Sequence, residues 1–196
     1  MRNLLQNWTS KSALCLGISL AATAAASAQA MSVAQRGAEI APFAQTTLLQ
    51  PDWGPTANLG YTAGLDYTRF IRSIVQPSLE LRVTSANGST VSEHTYSGGL
   101  KLQTTIHRIH PYGVFLVGAG VIDFTHPTMS SNGPYASDDS KVYSVGGGAQ
   151  FDVLSQWQLR LEFTQQHWNI EPQILTPQTL SVGVAYRIPF RKGQMR

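Results

Sequence analysis

The segment Leu180-Ser-Val-Gly-Val-Ala-Tyr-Arg-Ile-Pro-Phe190 decides the fold. Every even position in it holds a large apolar side chain, whereas the odd positions hold serine, glycine, alanine, arginine and proline. Because successive side chains of a β-strand point to opposite faces, this alternation predicts a strand with one apolar face and one small or polar face.

The same alternation recurs in five upstream segments, which begin at Leu59, Leu79, Leu100, Tyr143 and Trp157. Two further strands, at about 38–49 and 112–124, are less regular, and both faces of the second are largely apolar. The segments run to about 9 to 13 residues, against about five or six for strands of soluble proteins. Strands of about 9 to 11 residues cross a bilayer when tilted. The sequence therefore predicts an all-β, antiparallel up-and-down transmembrane β-barrel of eight strands.

The connections between these segments support the same architecture, because they alternate in length. Long external loops and short periplasmic turns alternate in outer-membrane barrels, which puts both termini on the periplasmic side. The predicted long connections are 49–58, 84–95, 125–141 and 169–178, and the short ones lie near Arg72, at 108–111 and at 154–156.

The first 30 residues have the pattern of a secretory signal. Arg2 and Lys11 precede an apolar run, and small residues allow cleavage after Ala28 or Ala30. The prediction is a signal peptide at 1–30, a barrel domain at 31–190 and a short polar extension at 191–196. The one cysteine, Cys15, lies before most of the apolar core, where lipidation is not expected, and the mature chain has no cysteine for disulfides.

Charge excludes one class of function. Removal of residues 1–30 leaves 12 of the 14 basic residues against 11 acidic ones, so no basic face for nucleic acid is expected. After residue 30 no stretch of about 18 apolar residues occurs, and any membrane crossing must use strands.

Seven charged residues belong to the polar stripes of the predicted strands. On the lipid face each Arg or Lys at mid-depth would cost about 2 to 4 kcal/mol, so these side chains are expected to face inward and to pair. An eight-stranded interior is only wide enough for side chains, which favours a lumen filled by a salt-bridge network. A narrow channel and a soluble lipocalin-like barrel are the alternatives. The seven are Asp66, Glu80, Arg82, Lys101, Arg160, Glu162 and Arg187.

Aromatic residues near the predicted strand ends are interpreted as interfacial girdles. They are Phe70, Tyr112, Phe151, Trp157 and Phe190 toward the turns, and Tyr61, Phe124, Tyr143 and Trp168 toward the loops.

The C-terminal strand also carries a family resemblance. Val184, Tyr186, Ile188 and Phe190 resemble the β-signal that the barrel-assembly machinery reads, and the chain resembles the small eight-stranded outer-membrane β-barrels, which include the outer membrane protein A barrel. The resemblance implies residence in the outer membrane of a Gram-negative cell, contact with lipid and lipopolysaccharide, and assembly by that machinery. It departs from the family at residues 191–196 and at two prolines, Pro189 and Pro42. Strand one is therefore expected to begin after Pro42 or to carry a bulge there.

Candidate chemistry is sparse. His167, which follows Glu162, loosely resembles the H-x-S-N motif of lipid A 3-O-deacylases, but the serine is missing. His107 and His110 are interpreted as turn histidines rather than metal ligands. No cofactor or metal is expected. The predicted function is a structural, adhesion or surface-interaction role through external loops, with a lipid A deacylase-like enzyme or a narrow channel as alternatives.

Overall fold

The computed structural model describes residues 36–52, 57–71, 74–88, 91–130, 133–170 and 173–191. The signal-peptide prediction, Cys15 and residues 192–196 lie outside them. No helix in this part of the chain is long and apolar enough to span a membrane. The described residues form the strands β1 (Arg36–Gln50), β2 (Asn58–Arg69), β3 (Val75–Asn87), β4 (Val91–Thr104), β5 (Ile109–Ser130), β6 (Gly133–Asp152), β7 (Trp157–Ile170), β8 (Gln173–Leu175), β9 (Gln178–Tyr186) and β10 (Ile188–Arg191).

These strands close into an eight-stranded antiparallel barrel. Each strand from β1 to β7 pairs with the next one along the chain. β8, β9 and β10 follow one another in a single wall position, because β8 and β9 pair with β7 while β9 and β10 pair with β1. The predicted all-β up-and-down barrel of eight strands is therefore confirmed.

The register fixes the size of the barrel. A path through directly opposed residues that starts at Phe151 on β6 passes once around the wall and returns to β6 at Lys141, an offset of ten residues (151 minus 141). Eight strands with a shear of ten tilt by about 40° and give a backbone radius of about 8 Å. A lumen of this width is filled by side chains.

An apolar band surrounds the barrel. Leu81 and Val145 are 64% and 58% exposed on the outer face. On β6, the outward-facing positions from Phe151 to Tyr143 are apolar, and Lys141 is the first charged one. Ten residues at about 3.3 Å each, tilted by about 40°, rise by about 25 Å, which is the height of the lipid-facing band of outer-membrane barrels.

The two ends of the barrel differ in how far the strands continue beyond the band. One end is called the turn end, because it holds the short connections β2–β3, β4–β5 and β6–β7. At the other, the loop end, the predicted long connections 84–95 and 125–141 are largely strand, because β3 reaches Asn87, β4 begins at Val91 and β5 and β6 continue through Ser130 and Gly133. Those connections were predicted from their polar composition, but a strand that stands above the membrane needs no apolar outer face.

Among the described strands, those of the β5–β6 hairpin project furthest. The pairing of β5 with β4 ends at Phe124, and the pairing of β6 with β7 ends at Val142. β6 continues from Lys141 to Gly133, about 25 Å of further strand. Beyond those two residues neither edge pairs with another described strand, although Ser140 Oγ still donates to the Asn169 carbonyl of β7 at 2.9 Å.

The structure differs from the sequence prediction at Pro42 and in the position of the β4–β5 turn. β1 begins at Arg36 and passes through Pro42, which pairs with Leu65 without a bulge. Pro42 lies between the end of the β10 pairing and the start of the β9 pairing, where the missing N–H disrupts neither ladder. The β4–β5 turn precedes 108–111, because β4 ends at Thr104, and His107 lies in the turn with a φ of 58°.

Candidate functional site: the filled lumen

A network of ion pairs crosses the middle of the lumen. It brings together six of the seven charged residues that the sequence singles out, from β2, β3, β4 and β7. All six are buried, and three cations face three anions, so the network carries no net charge when every member is ionised. Its members are Asp66, Glu80, Arg82, Lys101, Arg160 and Glu162.

Arg160 is the centre of this network. Its Nη1 lies 3.0 Å from Asp66 Oδ2, and its Nη2 lies 2.9 Å from Glu80 Oε2 and 2.5 Å from Glu162 Oε2. The guanidinium carbon also lies 4.0 Å from the centre of the Phe43 ring and 5.0 Å from that of Tyr112. One fully buried cation is thus held by three carboxylates and two aromatic faces.

The other two cations complete the network. Arg82 donates through Nε to Glu80 Oε1 at 2.6 Å and through Nη1 to Glu162 Oε1 at 2.5 Å. Lys101 forms an ion pair with Asp66. Because both Arg82 and Arg160 bridge Glu80 and Glu162, the loss of one partner would leave the rest with an unbalanced buried charge.

Tyr112 is a member of the site that the sequence analysis missed. It was assigned to an outer girdle, which was wrong: its ring faces the lumen, and its hydroxyl donates to Glu162 Oε2 at 2.7 Å. Gly148 on β6 makes room for it, since a Cβ there would lie 2.7 Å from the Tyr112 hydroxyl oxygen. Both faces of β5 are largely apolar, so alternation alone did not assign its inner face. A tyrosine aligned with a glycine on the neighbouring strand was the available signal.

Arg187 lies apart from this network. Its Nη1 lies 3.1 Å from Asp152 Oδ1, and its Nη2 donates to the Ser155 carbonyl at 2.9 Å. It sits at the break between β9 and β10, beside the turn that joins β6 to β7. The other six charges are therefore out of its reach, and it belongs to a separate cluster at the turn end.

Asp152 organises that turn-end cluster. Gln158 Nε2 donates to Asp152 Oδ1 at 2.8 Å, and His110 Nε2 lies 3.1 Å from the same oxygen. Burial opposes ionisation of Asp152, but the hydrogen bonds from His110 and Gln158 and the charge of Arg187 outweigh it and hold the pKa below its usual value. His110 is therefore buried in this cluster rather than free in a turn.

A belt of hydroxyl groups lies on the loop side of the ion-pair network. Thr47 Oγ1 lies 2.8 Å from Thr62 Oγ1 and 2.9 Å from Ser181 Oγ, and Thr62 Oγ1 lies 2.9 Å from Thr84 Oγ1. These hydrogen bonds tie β9, β1, β2 and β3 together across the inner face.

An apolar cluster, called the plug below, lies in the lumen above this belt. It is formed by Val91, Ile122, Val142, Trp168 and Leu175, with Phe124 packed against it. Trp168 and Phe124 were predicted in the outer girdle, which was also wrong. Trp168 is fully buried, and its Nε1 donates to Gln166 Oε1 at 2.8 Å.

The candidate enzyme motif is not assembled. Glu162 points into the lumen, where it joins the ion pairs, whereas His167 is exposed on the outer face of β7. An odd separation along a strand places two side chains on opposite faces, so these two cannot form a catalytic dyad. Among the described residues, no group of three or more His, Cys, Asp or Glu side chains could hold a metal ion.

The residues of the predicted C-terminal β-signal lie on β9 and β10. Val184 and Ile188 are exposed on the outer face. The Tyr186 ring packs edge-on against Trp157 with their centres 5.0 Å apart, and its hydroxyl donates to Gln156 Oε1 at 2.9 Å. Phe190 is half-buried in β10, which continues to Arg191, one residue into the predicted extension.

The closed wall, the apolar band and the filled lumen define a small transmembrane β-barrel. A family model described as "Outer membrane protein beta-barrel domain" matches residues 12–187, so the chain belongs to this family. Membership indicates residence in the outer membrane. A search of curated proteins found no match to the sequence.

Solved barrels share the fold at low sequence identity. Ail, the attachment invasion locus protein of Yersinia pestis, is 15% identical with a TM-score of 0.52, over 79% of this chain and 99% of that one. Neisserial surface protein A is 12% identical with a TM-score of 0.52, over 76% and 96%. A major outer membrane protein of Thermus thermophilus is 9% identical with a TM-score of 0.51, over 77% and 99%. At these identities the similarity establishes the fold alone.

Proposed function

We propose that this protein is a non-conducting outer-membrane barrel that presents the β5–β6 hairpin to a partner at the cell surface. The observation that carries the proposal is the combination of a blocked lumen with a hairpin that projects far beyond the apolar band. A barrel that does not conduct solutes acts through the segments that it exposes at the cell surface.

The blocked lumen supports the non-conducting part of the proposal. Three barriers lie in series along the axis: the ion-pair network around Arg160, the hydroxyl belt around Thr47 and the apolar plug around Trp168. An ion that entered would have to displace charges that are already paired, and then leave water to pass an apolar constriction.

The geometry of the hairpin supports the surface role. Beyond Phe124 and Val142 its two strands pair with each other alone among the described strands, so each outer edge presents backbone donors and acceptors. Such an edge binds an extended segment of a partner by strand addition. Asp123 and Asp139, both exposed at this end of the hairpin, outnumber Lys141 and favour a basic segment.

The targeting and assembly partners are part of the same proposal. Residues 1–30 direct export, and the barrel-assembly machinery reads Val184, Tyr186, Ile188 and Phe190. The apolar band contacts membrane lipid and lipopolysaccharide. The alternation of these four residues and the charge-free outer band support these assignments.

Shortening the hairpin tests the surface role. Residues 125–136 are replaced by a short glycine-containing turn, and adhesion of cells that display either protein to a cell layer is compared. We expect the shortened protein to lose adhesion while it keeps the faster electrophoretic migration of a folded, unboiled barrel. Equal adhesion by the two folded proteins would contradict the proposed role of the hairpin.

A further inference from the structure

A buried carboxyl group lies at the loop end. Glu93 is on β4, three residues beyond Tyr96, the last exposed aromatic residue of the apolar band on that strand, so it lies outside the membrane-spanning segment. Only 2% of the residue is exposed, and neither carboxyl oxygen has a hydrogen-bond partner among the described residues. An ionised carboxylate in such a place is strongly disfavoured.

None of the groups that the structure describes around Glu93 neutralises its charge. Directly opposite it are Ala86 on β3 and Ile122 on β5, both buried. Within β4, Val91 and Thr95 share its face, and His94 lies on the other face. On β5, Asp123 also lies on the outer face, and Arg82 on β3 is engaged in the ion-pair network below. On the β6 and β7 side, the plug contributes Val142 and Trp168.

The charged group that acts on Glu93 is Asp52, which lies in the connection between β1 and β2. Burial raises the pKa of Glu93 to about 7, and the negative charge of Asp52 adds to the effect. Asp52 also fastens the loop end, since its Oδ2 accepts hydrogen bonds from the Thr176 backbone N–H and from Thr176 Oγ1, the latter at 3.2 Å. The Asp52 carboxylate thus ties the β1–β2 connection to the β8–β9 connection and repels the carboxylate of Glu93.

The charge state of Glu93 affects the packing of the plug, which surrounds it. Ile122 and Val142 belong to both the plug and the base of the β5–β6 hairpin. Asn58 Nδ2 donates to the Val91 carbonyl at 3.1 Å and ties β2 to the plug strand β4. Opening of the plug would therefore loosen the base of the hairpin.

We propose that Glu93 is a proton-operated latch at the cell-surface end of the barrel. With Glu93 neutral, the plug is closed around it. When Glu93 loses its proton, the charge finds no partner in the described part of the chain and is repelled by Asp52, and the loop end opens locally to hydrate it. The latch responds to the acidity of the external medium, and it operates whatever the hairpin contacts.

Hydrogen exchange measured by mass spectrometry tests the latch in the refolded barrel in detergent. Wild type and Glu93→Gln are compared at each pH from 5 to 8, so that the intrinsic pH dependence of exchange cancels. We expect the ratio of the wild-type opening constant to that of the variant to rise roughly 50- to 100-fold between pH 5 and pH 8, in peptides that cover 91–95 and 120–124. Arg69→Gln, which removes an exposed charge at the turn end of β2, far from the plug, is the control and should follow the wild type.

A second measurement keeps the test decisive if Glu93→Gln fails to fold. The carboxyl carbon of Glu93, assigned in isotope-labelled wild-type protein, is titrated by NMR, and we expect a midpoint near pH 7 that falls in Asp52→Asn. A midpoint near 4.5, or the same exchange profile in wild type and Glu93→Gln, would overturn the proposal.

Discussion

Replacement of Arg160 is the perturbation to which the lumen should respond most strongly. Arg160→Met keeps an unbranched apolar stem and removes the guanidinium charge. Three carboxylates then face two cations, so the buried network carries an excess negative charge. Breaking a buried pair in this way costs about 3 to 5 kcal/mol. The stacking contact with Phe43, 4.0 Å from the guanidinium carbon, loses its cation as well.

Denaturant unfolding of the refolded barrel in lipid vesicles, followed by tryptophan fluorescence, measures this loss. Arg69→Met is the matched control, because Arg69 is exposed at the turn end of β2, and a change within about 0.5 kcal/mol is expected there. Adding Glu162→Gln to Arg160→Met rebalances the network and should recover part of the stability. A loss below about 1 kcal/mol for Arg160→Met would refute the reasoning, since the carboxylates would then have other compensation.

Two further predictions concern the belt and the turn end. Thr47→Val removes the hydrogen bonds to Thr62 and Ser181 and should cost about 1 to 3 kcal/mol in the same unfolding assay, whereas Thr46→Val on the lipid-facing side should cost nothing. The lowered pKa of Asp152 means that its stabilisation is present above its pKa in the unfolded chain and is lost as the pH falls through the lower folded value. Asp152→Asn should therefore flatten the acid side of the stability profile, and an unchanged profile would contradict this assignment.

The sequence was sufficient to predict the fold because a lipid-facing wall requires a simple alternation of apolar and other residues along each strand. Positions such as Leu180 and Val182 must be apolar on one face, while the alternate positions are free to be polar. The same parity assigned the six charges of the network to the lumen. Parity does not give the height of each charge along the barrel axis, because that height depends on the register and the shear. The sequence alone therefore could not show that Arg187 lies at the turn end while Arg160 lies in the middle of the lumen.

The sequence was least informative where both faces of a strand are apolar or where no lipid is present. Tyr112 and Trp168 face inward from strands whose outer faces are also apolar at some positions. Their inward pockets depend on glycines of other strands, Gly148 on β6 and Gly120 on β5. Above the membrane the alternation disappears, and polar composition was interpreted as loop in 84–95 and 125–141. Glu93 gave no signal because its burial depends on residues distant in sequence, such as Ala86 and Ile122.

The central claim is a closed eight-stranded barrel whose lumen is blocked by paired charges, hydroxyl groups and an apolar plug. Planar-bilayer recording on the purified, refolded protein tests it most directly. We expect no stable conductance steps in wild-type protein over a range of voltages in molar salt. Reproducible unitary steps from protein that also shows the migration of a folded barrel would contradict the claim.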